Sequence, residues 1–155
     1  MSVTTEADFT LSAFNEHSSC LICGDQNPRS MKLSFIAGEN GLVSAQFTPD
    51  KELQGYAGIL HGGVIAALLD AAMTHCLFHK GIQAVTAELN IRYVKSVECN
   101  VTLEIRAWII KCHSRLYQLK SEIQNQKQVV AWAEAKFIPR RVHKCEPLSQ
   151  IQGNG

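Results

Sequence analysis

Across residues 61–80 nearly every position is apolar: Val64, Ile65, Ala66, Ala67, Leu68 and Leu69 form an unbroken run, and Asp70 is the one acidic residue in the stretch. The spacing predicts a single helix, stopped by Gly81 in the place of a C-terminal cap. A helix without a polar face belongs in a core. An isolated carboxylate there costs several kcal/mol unless something pairs with it or uses it.

On either side of this helix the period changes to two. Residues 31–35 and 43–47 alternate apolar with polar around a turn at 38–41, and predict two paired strands. Residues 86–94, 101–110, 116–123 and 129–138 predict four more. In the first of these, Ala87, Leu89, Ile91 and Tyr93 fall on one face and Thr86, Glu88, Asn90 and Arg92 on the other. The result is an α+β chain in which an antiparallel sheet must curl around one long central helix to cover it. That order implies one domain over residues 31–139, with an N-terminal segment at 1–30 and a loosely ordered tail at 140–155.

Composition narrows the classes. A chain of 155 residues with a formal net charge of +1 can bury a proper core and gives no reason to expect nucleic acid or an anionic membrane as partner. The first residues lack the basic and apolar segments of a signal peptide, and the run from Val64 to Leu69 is far too short to span a membrane. A cytoplasmic protein is expected, with its six cysteines as reduced thiols and Cys76 and Cys112 as buried small residues.

Gln54-Gly55-Tyr56-Ala57-Gly58-Ile59-Leu60-His61-Gly62-Gly63, with Asp70 nine residues after His61 and then Thr86-Ala87-Glu88-Leu89-Asn90-Ile91-Arg92-Tyr93, resembles the hotdog-fold acyl-CoA thioesterases of the phenylacetyl-CoA and hydroxybenzoyl-CoA thioesterase type. The resemblance covers residues 33–138. It implies a hotdog fold, hydrolysis of an acyl-CoA thioester to a free acid and a thiol without a cofactor, and a homodimer or dimer of dimers. It further implies that Asp70 is the catalytic carboxylate, as general base or as nucleophile, that Thr86 orients the attacking water, and that Gln54 lies near the thioester oxygen.

The residues themselves support parts of that chemistry. Gly62 and Gly63 at a helix start offer two backbone N–H groups, with the helix dipole behind them, where an oxyanion would form; the bland alternative is that they allow a tight helix entry. Ala66, Ala67 and Thr74 leave space over Asp70. His61 is expected to organise the turn, because a lone His without a nucleophile and an orienting acid makes a poor base. Gly62 and Asp70 lie about 12 Å apart along one helix, so both can reach one thioester only if they come from two subunits.

Tyr56 and Met73, with Leu77 and Phe78, are candidate pocket walls. Arg92 is a candidate contact to coenzyme A phosphates, as are Lys95, Lys111, Arg115, Lys136, Arg140 and Arg141. His17, Cys20 and Cys23 have the start of a zinc-knuckle spacing, but a second Cys or His pair is missing and no metal is expected. Two rival readings differ in identifiable features. An enoyl thioester hydratase or dehydratase would carry a paired Asp and His, where this chain offers only His75 and His79 after Asp70. A non-catalytic acyl-CoA sensor would be expected to lack the carboxylate or to carry a DNA-binding segment.

Overall fold

The computed structural model describes residues 16–140. The helix α1 (Gly62–Phe78) is held at both ends by local chemistry. His61 is its N-cap, with Nδ1 accepting the Gly63 N–H at 2.8 Å. At the far end Gly81 takes φ +71°, and its N–H reaches Phe78 O at 2.8 Å while the Ile82 N–H reaches Leu77 O at 3.0 Å. That pair of bonds is a Schellman closure, which needs a residue that tolerates the left-handed region.

The strands are β1 (Ile36–Ala37), β2 (Val43–Phe47), β3 (Ala84–Tyr93), β4 (Leu103–His113), β5 (Leu116–Asn125) and β6 (Gln128–Pro139). They form one antiparallel sheet in the order β1-β2-β4-β5-β6-β3. The helix packs against β2, β3, β4, β5 and β6. The expected wrapping of one helix by the sheet is therefore the architecture found. Alternation supplies the inner face: Val43, Leu103, Ile105, Leu119, Ile123 and Phe137 are fully buried. Beneath the helix the sheet is lined with small side chains, Ala107, Ser121, Ala131 and Ala133, all fully buried, so that helix and sheet approach closely.

Two expectations fail for backbone reasons. Residues 31–35 are not a strand, although Leu33 and Phe35 are buried as their alternation requires. Lys32 has φ +51°, which breaks the extended path, and the N–H groups of Met31 and Leu33 go to Leu21 O and Ile22 O instead of to β2. Pairing with β2 is left to Ile36 and Ala37. The expected polar turn at 111–115 shrinks to two residues between His113 and Leu116, with Ser114 at φ +56°.

In the described part of the expected N-terminal segment, residues 16–30, Ile22 joins the core. The expected tail falls almost wholly outside the described residues. Of the cysteines, Cys20, Cys23, Cys76 and Cys99 are free thiols, but Cys112 is half-buried and disulfide-bonded, against the expectation of a buried reduced thiol. Among the described residues no helix is long and apolar enough to cross a membrane.

The Schellman closure gives a test of how the helix is ended. Gly81→Ala forces a Cβ into the left-handed region and should cost about 1–2 kcal/mol, read as a lower urea midpoint at unchanged slope.

Candidate active site

Asp70 sits in the middle of α1, on the stripe formed by Gly63, Ala66, Ala67, Asp70 and Thr74. These positions are half-buried or open, as are Gly62 and Val64, while Leu68, Leu69, Ala72 and Met73 are fully covered. The stripe is built from small side chains, so the carboxylate is recessed without being sealed. Thr86 Oγ1 donates to Asp70 Oδ1 at 2.6 Å.

Strict alternation would point Thr86 away from the helix, with Glu88 and Asn90. A β-bulge prevents this. The pairing of β3 with β6 shifts between Thr86 and Glu88, with Thr86 opposite Phe137 and Glu88 opposite Lys136. Directly opposed residues share a face, and Phe137 is fully buried under the helix. The extra residue, Ala87, thus turns Thr86 towards α1 while Glu88 stays outside, bonded to Lys136 at 2.9 Å. The expected polar face of this strand is split by the bulge.

At the helix start the two glycines are not equivalent. The Gly63 N–H is taken by His61 Nδ1, so the expected pair of amides reduces to that of Gly62, which has no hydrogen-bond acceptor among the described residues. Gly62 is in turn held by a residue that sequence reasoning placed in the apolar face: the Tyr93 hydroxyl donates to Gly62 O at 2.8 Å. Nothing in the sequence singled out that contact, because it joins positions 31 residues apart. A cleft of about 300 Å³ opens beside it, lined by Leu60, Gly62, Ile65, Tyr93 and Lys95 among others.

The remaining candidates are distributed around this centre. Gln54 Oε1 accepts the Gly58 N–H at 2.9 Å, which ties its carbonyl end to the loop and leaves its amide as the donor. Tyr56 projects from the same loop, 88% exposed. Met73, expected as a pocket wall, is completely buried in the core. Arg92 is exposed on the outer face of β3. Lys136 and Arg140 are engaged with Glu88 and Glu16, and Arg141 lies outside the described residues.

His75 is buried between the rings of Phe35 and Phe78. Burial first, and then His17 and His79 nearby, lower its pKa to about 4, so it stays neutral at physiological pH. It packs in the core and does not join Asp70 on the open stripe.

Residues 57–131 match the model of the thioesterase superfamily. An acyl-coenzyme A thioesterase of Rattus norvegicus, THEM4, is 34% identical over 97 residues, which are 63% of this chain and 42% of the relative. The chain thus spans about two fifths of the length of that relative. A Streptococcus mutans structure bound to acetyl CoA superposes with a TM-score of 0.65 at 26% identity, over 74% of this chain and 91% of the other. The E. coli PaaI protein from the phenylacetic acid degradation operon superposes with a TM-score of 0.71 at 20% identity, over 88% of this chain and 99% of the other. The hotdog architecture is common to them.

Burial raises the Asp70 pKa above the ordinary carboxylate value, and the Thr86 hydrogen bond partly offsets the shift. A carboxyl group raised on folding stabilises the fold below its unfolded pKa and loses that contribution as pH rises through the folded value. Ionised Asp70 therefore costs stability at neutral pH. Asp70→Asn should unfold at higher urea concentration than the wild type at neutral pH, with the gap closing as the pH is taken down to the carboxylate range.

Proposed function

We propose that this chain is a member of the thioesterase superfamily, whose model residues 57–131 match, and that it hydrolyses acyl-CoA thioesters, with Asp70 as the catalytic carboxylate. The observation that carries this reading is the recessed carboxylate on a stripe of small residues, turned to by Thr86 through a strand bulge. A charge kept in so apolar a helix lowers stability, and such a cost persists where function uses it. Coenzyme A recognition draws support from the S. mutans structure bound to acetyl CoA.

In this reading the thioester carbonyl carbon comes to rest over Ala66 and Ala67. Thr86 occupies Oδ1, so Oδ2 meets either a water, as general base, or the carbonyl carbon itself, as nucleophile. In the water route Asp70 accepts the proton, hydroxide adds to the carbon, and the oxyanion is met by a Gly62 N–H at the positive end of a helix. Collapse breaks the C–S bond, and the leaving thiolate takes the proton back from Asp70. The products are a free acid and a thiol, with no cofactor consumed.

The Gly62 amide that serves Asp70 belongs to a second copy of the chain, because the two lie about 12 Å apart along one helix. Strand β3 ends the sheet, with Val85, Tyr93 and Val94 about half exposed along it, and so offers an edge that a second copy can extend. The expected partners are thus an acyl-CoA and another copy of this chain.

Asp70→Asn keeps shape and removes the base or nucleophile, so hydrolysis should fall by about 10²–10⁴-fold on a panel of aryl, short-chain and long-chain acyl-CoAs read by thiol release. Activity within a few-fold of wild type removes Asp70 from the mechanism. The shared site has its own test. Inactive Asp70→Asn and Gly62→Val chains are allowed to exchange, with mixed dimers detected by mass spectrometry of tagged chains. Half of the dimers should be mixed, and one site in each should be intact, restoring about a quarter of wild-type activity for an isologous interface. Mixed dimers without recovered activity would place Gly62 and Asp70 in different sites.

A further inference from the structure

Residues 16–24 contribute nothing to the Asp70 site, yet they bring together three side chains with metal-ligating atoms. His17 Nδ1, Cys20 Sγ and Cys23 Sγ all lie within 4.8 Å of one another. Cys23 Sγ is 3.7 Å from His17 Nδ1. A tetrahedral zinc ion with bonds of about 2.3 Å to sulfur and about 2.0 Å to nitrogen spaces such ligands about 3.5 Å apart. The missing second Cys or His pair argued against a metal in the sequence. In the fold His17 supplies the third ligand from the other side of Cys20.

The loop that carries these donors is tightly closed. Cys20 N–H reaches His17 O at 2.9 Å, Gly24 N–H reaches Cys20 O at 2.9 Å, and Gln26 N–H reaches Ser18 O at 2.8 Å. The Ile22 N–H points at Cys20 Sγ, 3.4 Å away, an amide placed to support a thiolate. A Cβ on Gly24 would come within 2.6 Å of the backbone of Ser18 and Cys20, so only glycine closes the turn. The donors are therefore gathered by backbone geometry.

We propose that His17, Cys20 and Cys23 bind a zinc ion as three of its four ligands. Two thiolates and a neutral imidazole balance a divalent cation, which suits a half-buried position, and soft sulfur with imidazole selects zinc over the hard cations. The ion is structural. It fastens the 16–24 turn across the C-terminal end of α1, where the His17 ring meets Phe78 edge-on at 4.6 Å and Ile22 enters the core. Its binding free energy then adds to the stability of the fold.

The 155-residue chain is stripped with a chelator, dialysed and titrated with Co²⁺, a spectroscopic stand-in for zinc, and the zinc-loaded protein is assayed for metal by mass spectrometry. The expected result is one ion per chain, thiolate-to-cobalt charge-transfer absorption with tetrahedral d–d bands, and a thermal midpoint that rises on adding Zn²⁺. Cys20→Ser with Cys23→Ser should abolish stoichiometric binding, whereas Cys99→Ser, at a buried free thiol elsewhere, should retain it. Failure of the wild-type chain to give a thiolate–cobalt spectrum overturns the proposal, and this reading does not depend on whether the double variant folds. Stoichiometric metal that persists in the double variant also overturns it.

Discussion

A helix that is apolar on every side has nowhere to sit except inside something else. The rest of this fold follows from that requirement. A sheet long enough to reach both ends of α1 and wide enough to touch it from β2 through β6 must curve, and it can come close only where its inner face is lined by small residues such as Ala107, Ala131 and Ala133. The strip of helix the sheet does not cover is then the natural place for chemistry. It is narrow, apolar at its walls and lies on a rigid element, the setting in which one carboxylate is most perturbed.

Placement of the site therefore follows from packing, and its tuning follows from irregularities in the backbone. His61 gives its imidazole to the helix start, which differentiates Gly62 from Gly63. Tyr93 reaches across from the end of β3 to hold the same turn. The bulge at Ala87 turns one threonine to the carboxylate. The first is local to the helix start, whereas the other two join elements that the chain keeps apart.

Most of the architecture was legible in the sequence because periodicity survives in single strings of residues. The all-round apolar pattern gave α1 within two residues, and the alternations gave β2 and the four later strands. Residues 31–35 show where that logic stops. Their side chains do alternate between core and solvent, but burial pattern and backbone pairing are separate facts, and one positive φ at Lys32 redirected the hydrogen bonds to Leu21 and Ile22. Asp70 and His61 were visible because each is chemically out of place. Tyr93 was not, since an aromatic residue at the end of a strand carries no mark of the carbonyl it will meet. At His17, Cys20 and Cys23 the sequence lacks a second Cys or His pair, and spacing along the chain carries no mark of how closely the fold brings the three ligand atoms together.

The bulge in β3 also bears on how such a protein changes over time. A strand normally transmits a one-residue deletion as a wholesale exchange of its two faces, which a core does not survive. Here the pairing already contains one residue more than its partner strand, so loss of Ala87 would regularise the ladder and leave Leu89 and Ile91 where they are. Thr86, already opposite the buried Phe137, would stay on the inner face beside the carboxylate. The strand can thus shed one residue at this point without exchanging its two faces, so the scaffold tolerates there a change in length that it would not survive elsewhere in the ladder.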